Sequence, residues 1–478
     1  MSTCCADIPL GEDGAAHIYV DAGEGDDANT GLSPTNAFAT FGAVVRRMNA
    51  WLAMCVKAPL VIHPAPGEYA EDVQFIIQSI PLDRVVVWAD PADMTEITSG
   101  TLTAATAQLL TDSGASFGTS DELMGLIVEV FDPEHPDTTR QYKTIRNHVN
   151  TVIAAVGPVD PAPSAGWSYR VLTPSVNIVC QGTGLFCQNA GLLVVCPWTT
   201  AYDGNEEYAG GGPFVGFGFI RVTGAEGGSF AIRQKGGYVK WTGVVVDGAS
   251  PGFAAFGGVA AAYGGFPGGD DLIYGTTETY SPNVDASLSV RTSNATGIRV
   301  DHAHLFGSPV AKGSDLSMFG GRGTFFGGAV RGAHVDVAEQ SELQVFGGGV
   351  NALDAALPFT MLFAPAEAFL IREGSRAEVK DTSVQNCTGD GFIVDSDAFL
   401  RLLPTIAATG GDIGGVGVHV RNAGKAEVGS GVSFSSTGAN LKAGTATSTF
   451  GALTVTTPVV DDAGASGQPG SLSVIWEV

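Results

Sequence analysis

The chain opens with Ile18-Tyr19-Val20-Asp21, a turn cluster Gly25-Asp26-Asp27-Ala28-Asn29-Thr30-Gly31-Leu32-Ser33-Pro34, and the stretch Ala37-Phe38-Ala39-Thr40-Phe41. The first run favours a β-strand, and the cluster has the Gly, Asp and Asn residues of a loop. Further on, Val44, Val45 and Met48 follow Phe41 at the spacing of one helical face. The segment therefore predicts a strand, a loop and one amphipathic helix.

This opening resembles the N-terminal cap of right-handed parallel β-helix proteins of the pectate-lyase-like superfamily. Phage tailspikes and other virion appendages are frequent members of it. Leu60-Val61-Ile62 and Pro66-Gly67-Glu68-Tyr69 are similar to the family's first coil, where a strand leads into a turn. The resemblance implies an all-β fold, a right-handed parallel β-helix (solenoid) with an N-terminal capping helix. A solenoid needs such a cover, because an open strand edge promotes aggregation.

The composition agrees with a chain of many short strands. The 478 residues include 66 glycines, and hydrophobic residues make up 44% of the chain. Glycine at this frequency, mixed with Val, Phe and Thr, indicates many tight turns. The formal net charge of −25 argues against nucleic acid as a partner, because phosphate binding requires clustered Lys and Arg residues.

The N-terminal sequence, Met1-Ser2-Thr3-Cys4-Cys5-Ala6-Asp7, has neither a basic region nor an apolar core, so no signal peptide is predicted. There is no run of 18 apolar residues, and hence no membrane partner is expected. We therefore expect synthesis in a host cytoplasm and a final location on the virion. The seven cysteines are irregularly spaced, which argues against a disulfide framework.

Composition and strand patterning divide the chain into four parts. Residues 1–16 form an arm and a candidate particle anchor, and residues 17–100 hold the cap and first coils. Residues 101–175 alternate strands with Pro-rich turns, which predicts a small antiparallel β unit inserted between coils. Residues 176–478 form the main β-helix, with long Gly-rich and aromatic loops around residues 199–285.

A pattern of the form small–x–apolar–polar–apolar recurs in the second half of the chain. Its copies start at Ala286, Ser314, Ser341, Ser375, Ser396, Gly424 and Gly470. Successive starts lie 28, 27, 34, 21, 28 and 46 residues apart, and we interpret the last interval as two coils of 23. A period of about 20–30 residues with alternating inward side chains is what a β-helix coil requires.

Carboxylates are the candidate catalytic residues, because a glycoside hydrolase needs two of them flanking the scissile bond. The candidates are Asp270, Asp271, Asp301, Asp390 and Asp395. Adjacent acids on a strand point to opposite faces, so Asp270 and Asp271 pair only where a turn bends the chain. The stretch Gly269-Asp270-Asp271 resembles the acidic turn of polygalacturonases, whose Gly-His-Gly and Arg-Ile-Lys elements are absent here.

Two further sets of candidates concern ligands. His302 and His304 have a metal-like spacing, since alternate residues of a strand share one face. Three such pairs on a trimer axis offer six imidazoles to a metal ion, and the pattern resembles the His-x-His sites of some phage fibre proteins. No other cofactor is expected. Aromatic side chains suit both subunit contacts and glycan binding, and the candidates are Phe214, Phe253, Phe256, Tyr263 and Phe266.

These observations favour a phage-type virion structural protein that is exposed on the particle as a tailspike, fibre or capsid or head spike. The resemblance implies a homotrimer, with other virion proteins bound through the N-terminal arm and host-surface glycan as a further partner. The alternative is an enzyme, a polysaccharide lyase or hydrolase that acts on host envelope glycan. The sequence leaves the question of catalysis open.

Overall fold

The computed structural model describes residues 9–11, 15–53, 60–77, 84–118, 122–156, 159, 161–181, 185–189, 214–224, 230–248, 252–262, 283–292, 296–325, 327–346, 359–362, 364, 366–380, 382–403, 413–428, 441–443, 459–461 and 474–477. The chain divides into two compact units, Met1–Arg291 and Thr292–Val478. Among the described residues, short strands are the main regular element of both units. No helix among these residues is long and apolar enough to cross a membrane.

The first unit contains three parallel sheets and one antiparallel sheet. Its strands are β1 (Ala16–Val20), β2 (Leu60–Pro64), β3 (Gly67–Tyr69), β4 (Gln74–Ile77), β5 (Arg84–Trp88), β6 (Thr95–Thr101), β7 (Ala104–Ala105), β8 (Leu109–Thr111), β9 (Ile127–Phe131), β10 (Gln141–Val149), β11 (Val152–Ala155), β12 (Ser168–Thr173), β13 (Val176–Val179), β14 (Leu185–Asn189), β15 (Phe214–Gly218), β16 (Ile220–Thr223), β17 (Ile232–Lys235), β18 (Tyr238–Thr242), β19 (Val245–Gly248), β20 (Phe253–Phe256), β21 (Val259–Ala262), β22 (Asn283–Asp285) and β23 (Ser289–Thr292). Its helices are α1 (Phe41–Ala53) and α2 (Pro136–Thr139), and 3-10 turns span Pro34–Asn36 and Pro91–Asp93.

Successive turns of the chain add one strand to each of three parallel sheets. Sheet A1 has the order β1-β2-β5-β15-β18-β21, sheet B1 the order β3-β13-β16-β19-β23, and sheet C1 the order β4-β14-β17-β20. This topology is that of a parallel β-helix and confirms the fold class predicted from the sequence. Inside the coils, rings pack on one another: Phe75 lies 5.3 Å from Phe217, which stacks on Trp241 at 4.7 Å between ring centres.

Helix α1 covers the first coil, as predicted. Phe41, Val44 and Met48 are fully buried on one face of the helix. The first backbone N–H groups of a helix have no partner within it, and here the Glu71 carboxylate accepts from the N–H groups of Phe41 and Gly42 at 2.7 and 3.0 Å. Tyr69, from the predicted turn motif, donates its hydroxyl to the Val20 and Ala65 carbonyls and so ties the cap to the coil.

The antiparallel unit lies between β5 and β13, where the sequence predicted an insertion. Its strand order is β6-β12-β9-β10-β11-β8-β7, and β22 pairs with β10 in parallel. The strand β13 then pairs with β3 in parallel, so the coils resume on the far side of the insertion. One face of this sheet holds its own apolar core. The other face contacts the coils through Tyr142 against Phe219 at 5.6 Å and through Thr144 against the Ser287 N–H at 2.7 Å.

The second unit contains parallel strands only among its described residues. They are β24 (Thr296–Asp301), β25 (His304–Gly307), β26 (Val310–Lys312), β27 (Asp315–Phe319), β28 (Arg322–Phe325), β29 (Ala329–Arg331), β30 (Val335–Ala338), β31 (Glu342–Phe346), β32 (Phe359–Leu362), β33 (Phe369–Ile371), β34 (Arg376–Lys380), β35 (Thr382–Gln385), β36 (Phe392–Val394), β37 (Phe399–Leu402), β38 (Val418–Val420), β39 (Lys425–Val428), β40 (Leu441–Ala443), β41 (Val459–Asp461) and β42 (Val474–Glu477). Sheet A2 has the order β25-β28-β31-β34-β37-β39-β42, sheet B2 the order β26-β29-β32-β35, and sheet C2 the order β24-β27-β30-β33-β36-β38-β40-β41.

The repeated sequence pattern marks strands, but its copies do not form a single ladder. The copy at Ser314 covers β27 of sheet C2, whereas the copy at Ser341 covers β31 of sheet A2. All three sheets turn alternate residues inward, so the pattern recurs on each of them. The interpretation of the last interval as two coils is wrong for sheet A2, because β39 pairs directly with β42, Lys425 opposite Val474.

Tight turns with left-handed backbone join sheet C2 to sheet A2. They fall at Glu339-Gln340, Glu373-Gly374, Ser396-Asp397 and Asn422-Ala423, with φ between 50° and 70°. Side chains other than Gly are disfavoured at such angles because Cβ approaches the carbonyl oxygen. Ala423, at φ 65°, has no polar side-chain group that could hydrogen-bond the local backbone, so it carries this cost uncompensated.

We expect Ala423→Gly to raise the free energy of unfolding by about 1 kcal/mol, since glycine relieves the left-handed strain. Chemical denaturation followed by circular dichroism measures the change. The matched control is Ala426→Gly in β39, which should destabilise the chain because that methyl is fully buried in a strand. Changes of the same sign in both variants would contradict the assignment of strain to Ala423.

Candidate functional site

The neighbouring strands β14, β17 and β20 of sheet C1 present their outward-facing residues on one surface. In their register, Phe186 lies opposite Arg233, and Lys235 lies opposite Phe256. The alternate residues Leu185 and Ile232 are fully buried inside the coil. Because successive side chains of a strand point to opposite faces, Phe186, Arg233 and Lys235 point away from the core.

We define the aromatic-basic patch as Phe186, Phe230, Arg233, Lys235 and Phe256. The Arg233 guanidinium lies over the Phe186 ring, with its central carbon 5.6 Å from the ring centre. The rings of Phe230 and Phe256 meet edge to face at 6.5 Å between their centres. All three rings are partly exposed and Lys235 is exposed. The patch therefore offers partly exposed aromatic rings beside basic side chains, and aromatic rings can stack on the apolar face of a sugar ring.

The aromatic residues predicted from the sequence have different fates. Phe256 belongs to the patch. Phe253 was offered as a binding residue, but it is fully buried and packs edge-on against Trp241 at 5.5 Å. An odd number of positions separates the two, so on one strand they take opposite faces. Phe214 lies on β15 with its side chain outside the described residues, as are Tyr263 and Phe266 in full.

The predicted carboxylates do not form a catalytic pair where they are described. Asp270 and Asp271 lie outside the described residues. Asp301 ends β24, whereas Asp390 and Asp395 flank β36. Four strand steps separate β24 from β36 in sheet C2, which is about 19 Å at the spacing of neighbouring strands. Asp301 is therefore too far from the other two to act on the same bond.

Each of these three acids has partners of its own. Asp301 accepts from Arg299 at 2.9 Å and lies 2.7 Å from the His302 ring. Asp395 accepts from Arg421 at 2.8 Å and from Asn422 at 2.7 Å. Burial alone would raise the pKa of Asp301 and of Asp395, but these hydrogen bonds outweigh burial and lower the pKa of both carboxyls. A lowered pKa suits an ion-pair member better than a general acid.

Asp390 is held by the next coil. Its carboxylate accepts from the Val416 N–H at 2.7 Å and lies 2.8 Å from the His419 ring. Both contacts reach from Asp390 to residues that precede or belong to β38. The residue therefore has a clear role in joining two coils.

A group that was not predicted from the sequence lies on or next to β27, β30 and β33 of sheet C2. We call Asp315, His334, Asp336, Glu367 and Arg372 the Asp315 cluster. The His334 ring and backbone N–H both lie 3.2 Å from Asp315. Arg372 donates two N–H groups to the Asp336 carboxylate at 3.0 and 2.9 Å. The pattern His334-Val335-Asp336, polar residues around a buried valine, was the signal that both side chains share an outward face.

The two aspartates of this cluster sit in unlike surroundings. Burial raises the pKa of Asp315; His334 opposes the shift, whereas the negative charges of Asp336 and Glu367 add to it. Asp336 is clamped by Arg372 through the two-bond geometry that a carboxylate accepts. Asp315 and Asp336 lie on neighbouring strands two register positions apart, so their Cα atoms are about 8 Å apart. Two carboxyl groups in such contrasting environments can divide the roles of acid and base.

The two histidines do not follow one another along a strand. β24 ends at Asp301 and β25 begins at His304, and His302 lies in the turn between them with a φ of 49°. The shared strand face on which the metal prediction rested is therefore absent. Burial, and secondly the charge of Arg322, lower the pKa of His304 to about 4. Within the described residues, no group of three or more His, Cys, Asp or Glu side chains could hold a metal ion.

Several solved structures are similar to this chain at low identity. The tailspike protein gp49 from Pseudomonas phage LKA1 is 10% identical, with a TM-score of 0.23, over 92% of this chain and 76% of that chain. The Gp54 tailspike of Acinetobacter baumannii bacteriophage AP22, in complex with A. baumannii capsular saccharide, is 10% identical, with a TM-score of 0.16, over 84% and 72%. A GH136 lacto-N-biosidase from Eubacterium ramulus is 10% identical, with a TM-score of 0.24, over 97% and 68%.

Two of these three structures are phage tailspikes, the type of β-helix protein that the sequence resembles. At these TM-scores the likenesses carry no argument about the activity or partners of this chain. No protein-family model matches the sequence, and no curated protein matches it significantly. The functional argument therefore rests on the patch and the Asp315 cluster.

The opposite pKa shifts of Asp315 and Asp395 predict opposite effects of removing each charge. Because the pKa of Asp315 is raised in the folded protein, its carboxyl contributes to folding stability below the unfolded pKa of about 3.9. This contribution is lost as the pH rises through the pKa that Asp315 has in the folded protein. Asp315→Asn should thus gain stability, relative to the unsubstituted chain, between pH 3 and pH 7. Because the pKa of Asp395 is lowered, Asp395→Asn should reduce folding stability most at pH 7, and this loss of stability should shrink as the pH falls below about 4.

Denaturation midpoints between pH 2.5 and pH 7.5 measure both effects, and each variant serves as the control for the other. A parallel pH dependence in the two variants would show that the surroundings of these carboxyls do not differ as described.

Proposed function

We propose that this protein is a phage-type virion structural protein, exposed on the particle surface, that binds host-surface glycan through the aromatic-basic patch. The observation that carries the proposal is the set of partly exposed rings that the register of β14, β17 and β20 holds on an outward surface. Aromatic side chains offer a large apolar area and lose little conformational freedom on binding. A glycan, with apolar C–H faces and many hydroxyls, fits such a surface.

The placement of the patch on strands supports a binding role. Phe186 lies on β14 and Arg233 on β17, and each of these strands pairs with a neighbouring strand on both sides in sheet C1. A site on regular strands is held more precisely than one on loops. Little conformational entropy is therefore lost when a ligand binds.

The proposal includes an assembly. Three copies would form the appendage, as a tailspike, a fibre or a capsid or head spike, and residues 1–16 would contact other virion proteins. Closed symmetric oligomers are the usual state of such homo-oligomers. Light scattering on the purified protein gives its mass and so tests the number of copies. In the proposed trimer, His302, whose side chain is 75% exposed, and His304 would be the residues that hold an axial metal ion.

A second candidate function, hydrolysis of the host polysaccharide, is favoured by the Asp315 cluster. Asp315, with its raised pKa, suits a general acid that protonates the leaving oxygen. Asp336, clamped by Arg372, suits a carboxylate that acts as base or nucleophile. In this reaction the proton of Asp315 passes to the glycosidic oxygen as the bond from that oxygen to the anomeric carbon breaks. Water adds its hydroxyl to the anomeric carbon and gives its proton to the Asp336 carboxylate.

For the binding function, we expect Phe256→Ala to weaken glycan affinity about fivefold, because it removes one stacking face worth about 1 kcal/mol. The measurement is binding of the full-length protein to polysaccharide extracted from the host envelope. Phe399→Ala is the matched control, since that partly exposed ring lies on sheet A2, beneath Arg376, outside the patch. Equal losses in both variants, or unchanged binding in Phe256→Ala, would argue against the patch as the binding surface.

For the hydrolytic function, Asp315→Asn and Asp336→Asn should each lower the release of reducing ends by at least about 100-fold while binding persists, given what general acid–base groups contribute. Asp395→Asn is the control, because its partners are Arg421 and Asn422. Absence of reducing ends from every envelope polysaccharide that the unsubstituted protein binds would reject hydrolysis and leave the binding function in place.

A further inference from the structure

Sheets A2 and C2 present side chains of opposite net charge, although both belong to the second unit of an acidic chain. On the strands of sheet A2 from β25 to β39, three carboxylates accompany five basic residues: Arg322, Arg376, Lys380, Arg401 and Lys425. On the strands of sheet C2 from β24 to β38, or within two residues of them and outside the turns to sheet A2, three arginines accompany six carboxylates: Asp301, Asp315, Asp336, Glu367, Asp390 and Asp395. Sheet A2 is therefore a locally basic surface in a chain with a net charge of −25.

Two cations of sheet A2 lack a carboxylate partner. Arg376 precedes the buried Ala377 on β34, and the side chains of a strand alternate, so Arg376 faces outward. Lys425 faces outward for the same reason, because the next residue, Ala426, is fully buried. Both cations are exposed, and within the described parts of the chain neither forms an ion pair. The Arg376 guanidinium lies over the Phe399 ring, which carries no net charge, so the positive charge stays available to a partner.

Sheet C2 offers a carboxylate in the same condition. Glu367 precedes β33, is partly exposed, and forms no ion pair among the described residues. The chain runs from β33 through the turn Glu373-Gly374 into β34, so Glu367 and Arg376 belong to one coil. They lie on different sheets of that coil, because β33 belongs to sheet C2 and β34 to sheet A2. One coil therefore carries an acid and a base that do not pair within one copy of the chain.

We propose that sheet A2 of one copy packs against sheet C2 of the next copy in a closed ring of three. The inference rests on the trimer of the proposed function and names the surfaces that hold it together. In a ring, each copy contacts its two neighbours through two different surfaces. Sheets A2 and C2 suit this arrangement because their net charges are opposite, whereas a contact of either sheet with itself would bring like charges together.

Rotational symmetry also brings the matching charges to one level. Copies that are related by an axis parallel to the solenoid meet coil against the same coil. Glu367 of one copy then lies at the level of Arg376 of the next, since both belong to the coil of β33 and β34. The following coil repeats the match, with Asp390 before β36 and Arg401 on β37. The charges of the two sheets therefore agree coil by coil as well as in sum.

The test measures the mass of the full-length protein by light scattering over a range of concentrations. Arg376→Glu combined with Lys425→Glu should raise the dissociation constant of the trimer at least about 100-fold, because like charges then meet at all three interfaces. Glu367→Lys should raise it at least about tenfold. Adding Glu367→Lys to Arg376→Glu should restore part of the association, since the two charges have exchanged sheets. Arg46→Glu, an equal reversal at an exposed position of helix α1, should leave the mass unchanged.

A carbodiimide, which joins lysines to carboxylates without a spacer, locates the contact. Applied to a mixture of nitrogen-15-labelled and unlabelled protein, it should join Lys380 or Lys425 of one copy to a sheet C2 carboxylate of another. Mass spectrometry distinguishes such mixed products from links within one copy. The mass of Phe399→Ala is measured as well, so that glycan binding is compared between variants in the same state of assembly.

The outcomes separate this inference from the proposed function. A trimer that survives the charge reversals, or links between copies that join other surfaces, overturns the inference and leaves the trimer standing. A single copy at every concentration removes the trimer of the proposed function and the inference with it. If the reversal on sheet A2 abolishes binding of envelope polysaccharide and leaves the mass unchanged, the sheet serves glycan and the inference is wrong. Circular dichroism of each variant shows that it is folded.

Discussion

In-register parallel pairing between successive coils is the constraint on which the rest of this structure depends. Each strand hydrogen-bonds to the equivalent strand of the next coil, as in Ile232 opposite Phe253 or Leu316 opposite Val335. Since side chains alternate at a period of two, the register decides for every residue whether it enters the core or faces outward. A shift by one position would exchange the whole interior for the whole surface, so the apolar core fixes the register strongly.

The same constraint creates the surfaces that carry function. Outward residues of neighbouring strands are brought about 4.8 Å apart, even where the chain between them is long. In the first unit this joins Phe186 to Arg233 and Lys235 to Phe256. In the second unit it sets His334 beside Asp315. The rings inside the coils, such as Trp241 on Phe217, stabilise the ladder that holds the outer groups in place.

Local sequence was enough for the parts whose contacts are local. The capping helix follows from Phe41, Val44 and Met48 on one face, and the insertion follows from Pro-rich alternation between coils. The repeat located strands correctly but not their sheets, because the inward alternation looks alike on all three. Only part of the candidate site was predictable. Phe256, offered as a binding residue, is partly exposed in the patch, whereas Phe253, offered with it, is fully buried. The Asp315 cluster was overlooked because its members lie up to 57 positions apart in the sequence.

The sequence by itself indicated the solenoid class and its cap through a family resemblance that the repeat period supports, and it indicated the insertion and the acidic charge through turn chemistry and composition. Only the tertiary structure decided which outward residues become neighbours, because coil lengths vary and the register between coils is set by how the core packs. The pairing of Arg233 with Phe186, the clamp of Arg372 on Asp336, and the turn that separates His302 from His304 all follow from that packing. Strand order and register, rather than sequence spacing, therefore bring the candidate site together.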